Sequence, residues 1–411
     1  MENNLSHIFE RTFSSLEEFA DFISETLEGP VTIEDRNHRL LAYSTHEKYT
    51  DEARVSTIIG RRVPEKVINK LWRKGIIPTL HEKAEPVQIP EITEIGLGSR
   101  MAVSITKNND VLGYIWIIEG NRAFTEHDAF LLKEAANKAV TQLQQVQSRT
   151  KEQERSRQEY FWRLLTGDLQ NEHAIQEQLS TWFPSMPNSA AVIVLEANEE
   201  ITDTMDKNIT YLITTSQKVK VLFKTREQHT IILLAEPLQP QSKEGIRWFL
   251  QDFMLLLEER FGVSTIEVGC GRLNSSFMAV KDSYMEAMEV IHVNRRLPLH
   301  RKSFLFYDEL GFYRYADSLI KQKRQENLTD PAITTLEQYD ITHNRELLKS
   351  LTVFLQNDGN MRKAANALHI HVNTMAYRMN RVEEIINVDL NNAYQKLSLL
   401  LEISLEELKD R

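Results

Sequence analysis

The sequence predicts a multidomain α+β protein ending in an all-helical region, and three observations carry that prediction. The chain has 411 residues, two to four domains at roughly 100–200 residues each. Short apolar runs bounded by turn residues recur between Val31 and Ile118 and again between Ala191 and Ala235, each group followed by amphipathic helical spacing. The last hundred residues carry helical spacing alone. The expected division is an α/β domain over 1–140, a helical connector over 141–185, an α+β domain over 186–310 and an all-α domain over 311–411.

Composition bounds the function classes. A hydrophobic fraction of 41% and a charged fraction of 26% are those of ordinary globular protein. Met1 to Glu10 contains acids and no apolar core of leader length, and nowhere do about 18 apolar residues run together. Secretion and membrane spanning are therefore not expected. The single cysteine, Cys270, excludes an intramolecular disulfide and suits the reducing cytoplasm. A net charge of −10 argues against a broad nucleic-acid-coating surface and leaves room only for a local basic element.

In the first domain, Val31–Asp35 reads as a strand, Arg36-Asn37-His38 as a turn and Arg39–Ser44 as its partner. Met101–Thr106 and Val111–Ile118 flank Lys107-Asn108-Asn109-Asp110 and form a second hairpin, because Asn and Asp tolerate turn conformations. Thr125-Glu126-His127-Asp128 is a capping-box start, with Phe130, Leu131, Ala135 and Ala139 on one face of the helix that follows. That helix is expected to run on through a Gln-, Arg- and Glu-rich stretch to about Arg157 as the connector.

In the next domain, Ala191–Leu195, Lys220–Phe223 and Thr230–Ala235 read as buried strands. Gly245–Phe261 and Met278–Val293 read as helices. The glycines of Val268-Gly269-Cys270-Gly271 at a strand end could admit a phosphate, yet no Walker spacing and no Lys-Ser or Lys-Thr pair follows, so a tight turn is the expectation. Cys270 has no sequence neighbour to lower its pKa and is expected to be a buried small hydrophobe. The twelve histidines form no zinc spacing. No metal, cofactor or catalytic residue is expected.

The last domain holds the most informative stretch. Leu347, Leu348, Leu351, Phe354 and Leu355 have helical spacing, Gly359 stops that helix and Asn360 caps the next, Met361 to Leu368. Ala364-Ala365 are small where a helix-turn-helix needs close crossing, with Leu368 and Ile370 beneath the turn. In the following helix Met375, Met379, Val382 and Ile386 face inward, leaving Asn373, Thr374, Tyr377, Arg378 and Arg381 on the opposite face. Gly359 to Val382 contains four basic residues and no acid. Asn and Arg match adenine and guanine edges, Thr and Tyr reach phosphates, and Arg362 and Lys363 fall where the first helix meets the backbone. The candidate DNA contacts are Arg362, Lys363, His371, Asn373, Thr374, Tyr377, Arg378 and Arg381. His369 stands where such turns often use a left-handed glycine, a conformation His tolerates better than most residues. Leu397, Leu400, Leu401, Ser404, Leu405 and Leu408 are expected to line a last amphipathic helix.

Two resemblances add to these readings. Val111-Leu112-Gly113-Tyr114-Ile115-Trp116-Ile117-Ile118 with Phe124-Thr125-Glu126-His127-Asp128 resembles a GAF domain, which implies a sensory role without naming an effector. Ala364-Ala365, Leu368, Ile370-His371, Asn373-Thr374, Tyr377-Arg378 and Val382 resemble the C-terminal helix-turn-helix of PucR/CdaR-type bacterial regulators. Phe161–Gly167, Ser283–Ala287 and Tyr307–Gly311 are similar to landmarks of that family in the same order. The resemblance implies a degenerate GGDEF-like middle domain; the chain has Val268-Gly269-Cys270-Gly271 where a cyclase wants Gly-Gly and metal-binding carboxylates, so cyclase activity is not expected. It further implies a sequence-specific regulator of transcription, an activator more than a repressor, which binds double-stranded promoter DNA as a homodimer or larger homo-oligomer. A small-molecule effector is implied, proline first by the three-domain plan, with alanine or purine catabolism as the alternatives. A nucleotide-binding signalling enzyme is the rival class.

Overall fold

A computed structural model describes residues 13–45, 50–238, 242–297, 303–326 and 331–409. The reading of Met1–Glu10 lies outside the described residues. The chain divides into two compact units: Met1–Ile266 with Leu273–Lys281, and Glu267–Arg272 with Asp282–Arg411.

The first unit begins α1 (Leu16–Leu27), β1 (Val31–Asp35), β2 (Leu40–Tyr43), α2 (Glu52–Gly60), α3 (Glu65–Arg73), α4 (Ile76–Glu82), β3 (Val87–Ile89), β4 (Arg100–Lys107), β5 (Asp110–Ile118) and α5 (Glu126–Thr166). The strands form an antiparallel sheet of order β2-β1-β5-β4-β3. Both expected hairpins are present. In the second, Asn108 (φ 51°) and Asn109 (φ 63°) take the left-handed conformation that a tight hairpin turn demands. The period of two sorts the side chains. Val31 and Ile33 of β1, Met101, Val103 and Ile105 of β4, and Ile115 and Ile117 of β5 pack with α1 and the first turns of α5. Thr32, Glu34, Arg100 and Trp116 point the other way, where Arg54 and Thr57 of α2 and Val67 and Leu71 of α3 close over them.

Thr125 and Asp128 form the expected capping box, and Arg122 grips the Asp128 carboxylate at 2.6 and 2.8 Å. From there α5 runs unbroken for 41 residues, past Arg157, to a left-handed Gly167, and ends inside the expected connector of 141–185. Its start seats Leu131, Leu132, Ala135, Ala139 and Leu143 in the core beneath the sheet, and its last turns bury Phe161, Leu164 and Leu165. Phe161 stacks on Phe223 with ring centroids 5.4 Å apart. The unit continues with α6 (Glu172–Trp182), β6 (Ala191–Ala197), α7 (Asp203–Thr215), β7 (Val219–Arg226), β8 (Thr230–Pro237) and α8 (Lys243–Phe261). β8 pairs antiparallel with both β6 and β7.

The chain enters the second unit along β9 (Ile266–Cys270) and returns to it in α9 (Val280–Arg296). A Cβ on Gly269 or Gly271 would lie 2.0 Å from the carbonyl oxygen of Ala287 or Ser283 respectively. These glycines therefore let α9 approach the strand backbone; the expected tight turn is corrected, since Gly269 lies within β9 and residues 271–279 separate the strand from α9. Cys270 is fully buried, also as expected. The remainder is helical: a 3-10 segment (Tyr307–Tyr315), α10 (Ala316–Glu326), α11 (Pro331–His343), α12 (Leu347–Gln356), α13 (Met361–Ala367), α14 (Val372–Ile386) and α15 (Ala393–Lys409). α15 serves two cores, giving Leu399 and Ile403 to the α11–α14 bundle and Leu405 and Leu408 to a cluster with Val290, Leu310 and Ile320. Two positions expected on apolar helix faces are corrected: Phe130 of α5 is 42% exposed, and Leu397 is 62% exposed. Leu397 lies in the opening turns of α15, one face away from the Leu399–Ile403 pair that meets the bundle. Among the described residues no helix is long and apolar enough to cross a membrane.

Candidate nucleic-acid interface

The C-terminal interface is assembled from three local devices. α12 ends with Asp358 (φ 54°) and Gly359 (φ 73°) both left-handed, and the Gly359 N–H donates to the Phe354 carbonyl. This reverses the chain in few residues. Asn360 then caps α13, its side chain accepting from the Lys363 N–H at 3.0 Å. After α13, His369 (φ 55°) makes the left-handed turn and the Ile370 N–H donates to the Ala365 carbonyl. His371 caps α14 through Nδ1, which accepts from the Asn373 N–H at 3.2 Å.

Ala364 and Ala365 are buried at the crossing, together with Met375, Met379 and Val382 of α14 and Leu351, Phe354 and Leu355 of α12. A larger side chain at either alanine would push α13 off α14. Leu368, Ile370 and Ile386 are partly buried against the same core.

Most of the sequence-predicted contacts lie on the surface this packing leaves open. Arg362, Lys363, His371, Asn373, Thr374 and Tyr377 are exposed to solvent in whole or part, Tyr377 by 71%. Arg378 and Arg381 differ from the expectation of one shared outward face. Arg378 donates to the Ser350 hydroxyl of α12 at 2.8 Å. Four residues before Val382, it flanks the inward stripe, and its long side chain reaches back along it. Arg381 donates to the Tyr339 hydroxyl of α11 at 3.2 Å and pairs with Glu384 at 2.6 Å, its guanidinium 5.4 Å from the Tyr339 ring centre. Tyr339 first and Glu384 second hold Arg381 more firmly charged than usual. Asn380, absent from the sequence-based set, is exposed three residues beyond Tyr377 on the same face. The signal for it is its spacing of seven from Asn373.

The face is thus a short helix carrying Arg362 and Lys363 beside a longer helix presenting Asn373, Thr374, Tyr377 and Asn380. A helix of this width fits the major groove, and these side chains carry the donors and acceptors that read base edges and phosphates.

Comparison with known proteins agrees. Residues 347–405 match the PucR C-terminal helix-turn-helix domain, and residues 166–293 match a GGDEF-like domain. The chain is 38% identical to the DNA-binding transcriptional activator AdeR of Bacillus subtilis over 401 residues, 97% of this chain and 95% of that one. It is 26% identical to the proline-responsive transcriptional activator PutR of the same organism over the full length of both. It is also 25% identical to the carbohydrate diacid regulator of Escherichia coli over 46% of this chain and 51% of that one. The protein belongs to the PucR-type family of helix-turn-helix regulators and is a DNA-binding regulator of transcription.

Proposed function

We propose that this regulator is a cytoplasmic activator of amino-acid catabolism genes, binding paired half-sites as a homodimer and responding to a small metabolite sensed by its N-terminal domain. The observation that carries the DNA-reading half is the crossing of α13 and α14 on Ala364 and Ala365, which leaves Asn373, Thr374 and Tyr377 on the open surface beside Arg362 and Lys363. Asn373 reads a base edge. Thr374 and Tyr377 contact the groove wall, Arg362 and Lys363 neutralise phosphates, and His371 fixes the start of α14. Arg378 and Arg381 support the helix from its flanks, and each can swing to the DNA by giving up its bonds to α12 or α11. The boundaries of 1–140, 141–185, 186–310 and 311–411 are our functional division, with the first as the sensor.

The GAF-like reading of the sensor rests on its antiparallel sheet with helices on both faces. Proline is the first effector to test, because PutR is proline-responsive. AdeR, the more similar relative, carries no effector in its name.

The test is promoter binding by fluorescence anisotropy at stated salt. Asn373→Ala should lower affinity for the cognate site by about 1–3 kcal/mol and relax preference at one base position. Arg362→Ala with Lys363→Ala should weaken all sequences alike and reduce the salt slope by about 0.9 for each phosphate no longer neutralised. Unchanged binding by both variants would sink the interface. Arg378→Ala is the less clean probe, since it also breaks the bond to Ser350.

A further inference from the structure

Two cavities at the N-terminal sheet compete as the effector site, and their sizes separate them. The one between the sheet and α2–α3 is lined by buried Glu34, Arg54 and Arg100, yet holds only about 20 Å3, room for one water molecule. Its cations are also committed: Arg54 donates to the carbonyls of Val31 and Ser44 at 2.9 Å each, and Arg100 is paired with Asp51. The other lies at the turn end of the sheet, against α7 and the last residue of α8, and encloses about 160 Å3. A cavity of ~150 Å3 accepts a molecule the size of benzene.

The second cavity has a charged rim and an aromatic floor. Arg36 touches Asp110 loosely, at 3.4 Å through one nitrogen, and its other N–H groups have no partner among the described residues. Asp110 is also held by Lys207 at 2.7 Å. Tyr114, Tyr211 and Phe261 supply the rings. Both tyrosine hydroxyls are occupied: Tyr114 bonds His81 at 2.6 Å, and Tyr211 accepts from Trp72 at 2.7 Å and bonds His38 at 3.1 Å. The tyrosines therefore offer ring carbons rather than hydrogen bonds, one face of Tyr114 being already covered by His38.

We propose that this cavity binds a small neutral amino acid, its carboxylate on the Arg36 fork, its ammonium on Asp110 and its side chain on the rings of Tyr114, Tyr211 and Phe261. A guanidinium with free N–H groups matches a carboxylate bidentately. A carboxylate beside it selects a zwitterion and opposes a dicarboxylate, whose second charge would face Asp110. The volume excludes large side chains. Arg36, His81 and Tyr114 come from the sensor, and Tyr211 and Phe261 from the middle sheet's helices, so the ligand clamps two parts of the unit together. A ligand that binds only the clamped arrangement shifts the population toward it. His38 lies at the joint, fully buried, stacked 4.8 Å from Tyr114 and bonded to Glu34 at 3.0 Å as well as to Tyr211.

This inference rests on the reading of the chain as effector-responsive. The test is calorimetric titration of the full chain with L-proline, L-alanine, L-tryptophan and L-glutamate, each to millimolar concentration, followed by promoter binding with and without the amino acid that binds. Proline or alanine should bind, tryptophan and glutamate should bind at least tenfold more weakly, and Arg36→Gln should cost at least tenfold in affinity. Asn208→Phe, which fills the cavity without touching its charges, should abolish binding, and circular dichroism verifies that each variant folds. Tight binding unaffected by either variant, a preference for glutamate, or no binding by proline or alanine would each overturn the site. Binding at the site with no change in promoter affinity would instead leave the site standing and overturn the effector-responsive reading.

Discussion

The N-terminal sheet and the C-terminal bundle are both small cores, but they treat charge in opposite ways. On one face of the sheet Glu34, Arg54 and Arg100 are buried among apolar side chains and satisfied by named partners. In the α11–α14 bundle no charged side chain is buried among the described residues, the hydroxyl of Ser350 being the buried polar group, and the polar side chains of α13 and α14 stand on the surface or flank. A region that reads an outside polymer keeps its chemistry exposed. The inward-facing charge of the N-terminal sheet is costly wherever a partner is removed, so the two regions should fail differently under mutation.

The largest contrast should come from Asp51→Ala, which strips buried Arg100 of its carboxylate and α2 of its N-cap, and should destabilise the first unit by about 3–5 kcal/mol in chemical denaturation. A loss under about 1 kcal/mol would mean that the pair is solvated and the contrast false. In the bundle the matching break is steric. Ala364→Leu should cost about 1–3 kcal/mol and abolish promoter binding, with unfolding of the first unit unchanged. Asp128→Asn sharpens the comparison through pH. Arg122 above all, with the capping bonds of Thr125, holds the Asp128 carboxyl well below its usual range. A depressed carboxylate gives stability that is present above its unfolded value of about 4 and lost as pH falls below it. The variant should be about 1 kcal/mol less stable at pH 7, and this gap should close in acid. The smallest effect has the opposite sign: His369→Gly should raise stability by about 0.5–1 kcal/mol, since glycine takes the left-handed turn without the Cβ penalty.

What can be read from the sequence follows the same division. α12, α13 and α14 are legible because caps, stops and periodicity are local: Gly359, Asn360 and the Met375–Met379–Val382 stripe each sit where spacing places them. Both hairpins and the Thr125 capping box are legible for that reason. α1 to α4, β3 and α7 do not stand out, because short helices and a three-residue strand give too few periods to count. Nor can the sequence reveal that Glu34 and His38 are buried together, since His38 gains its second partner, Tyr211, from 173 residues away. The tilt of Arg378 and Arg381 toward α12 and α11 escapes it because helical spacing assigns a Cβ to a face and says nothing of where a long side chain then leans.

The unbroken α5 adds a phase relation between the two ends of the first unit. At 41 residues it is about 60 Å long, with Leu143 seated in one core and Phe161 in another. Inserting two residues between them would turn one end by about 200° and leave its apolar edge facing water, whereas seven would nearly restore the angle at about 20°. The seven-residue insertion would still lengthen the rod by about 10 Å. Both cores would keep their packing while the Tyr114 and Tyr211 rings drew apart, so the helix sets the N-terminal domain's distance as a ruler and its orientation as a gear.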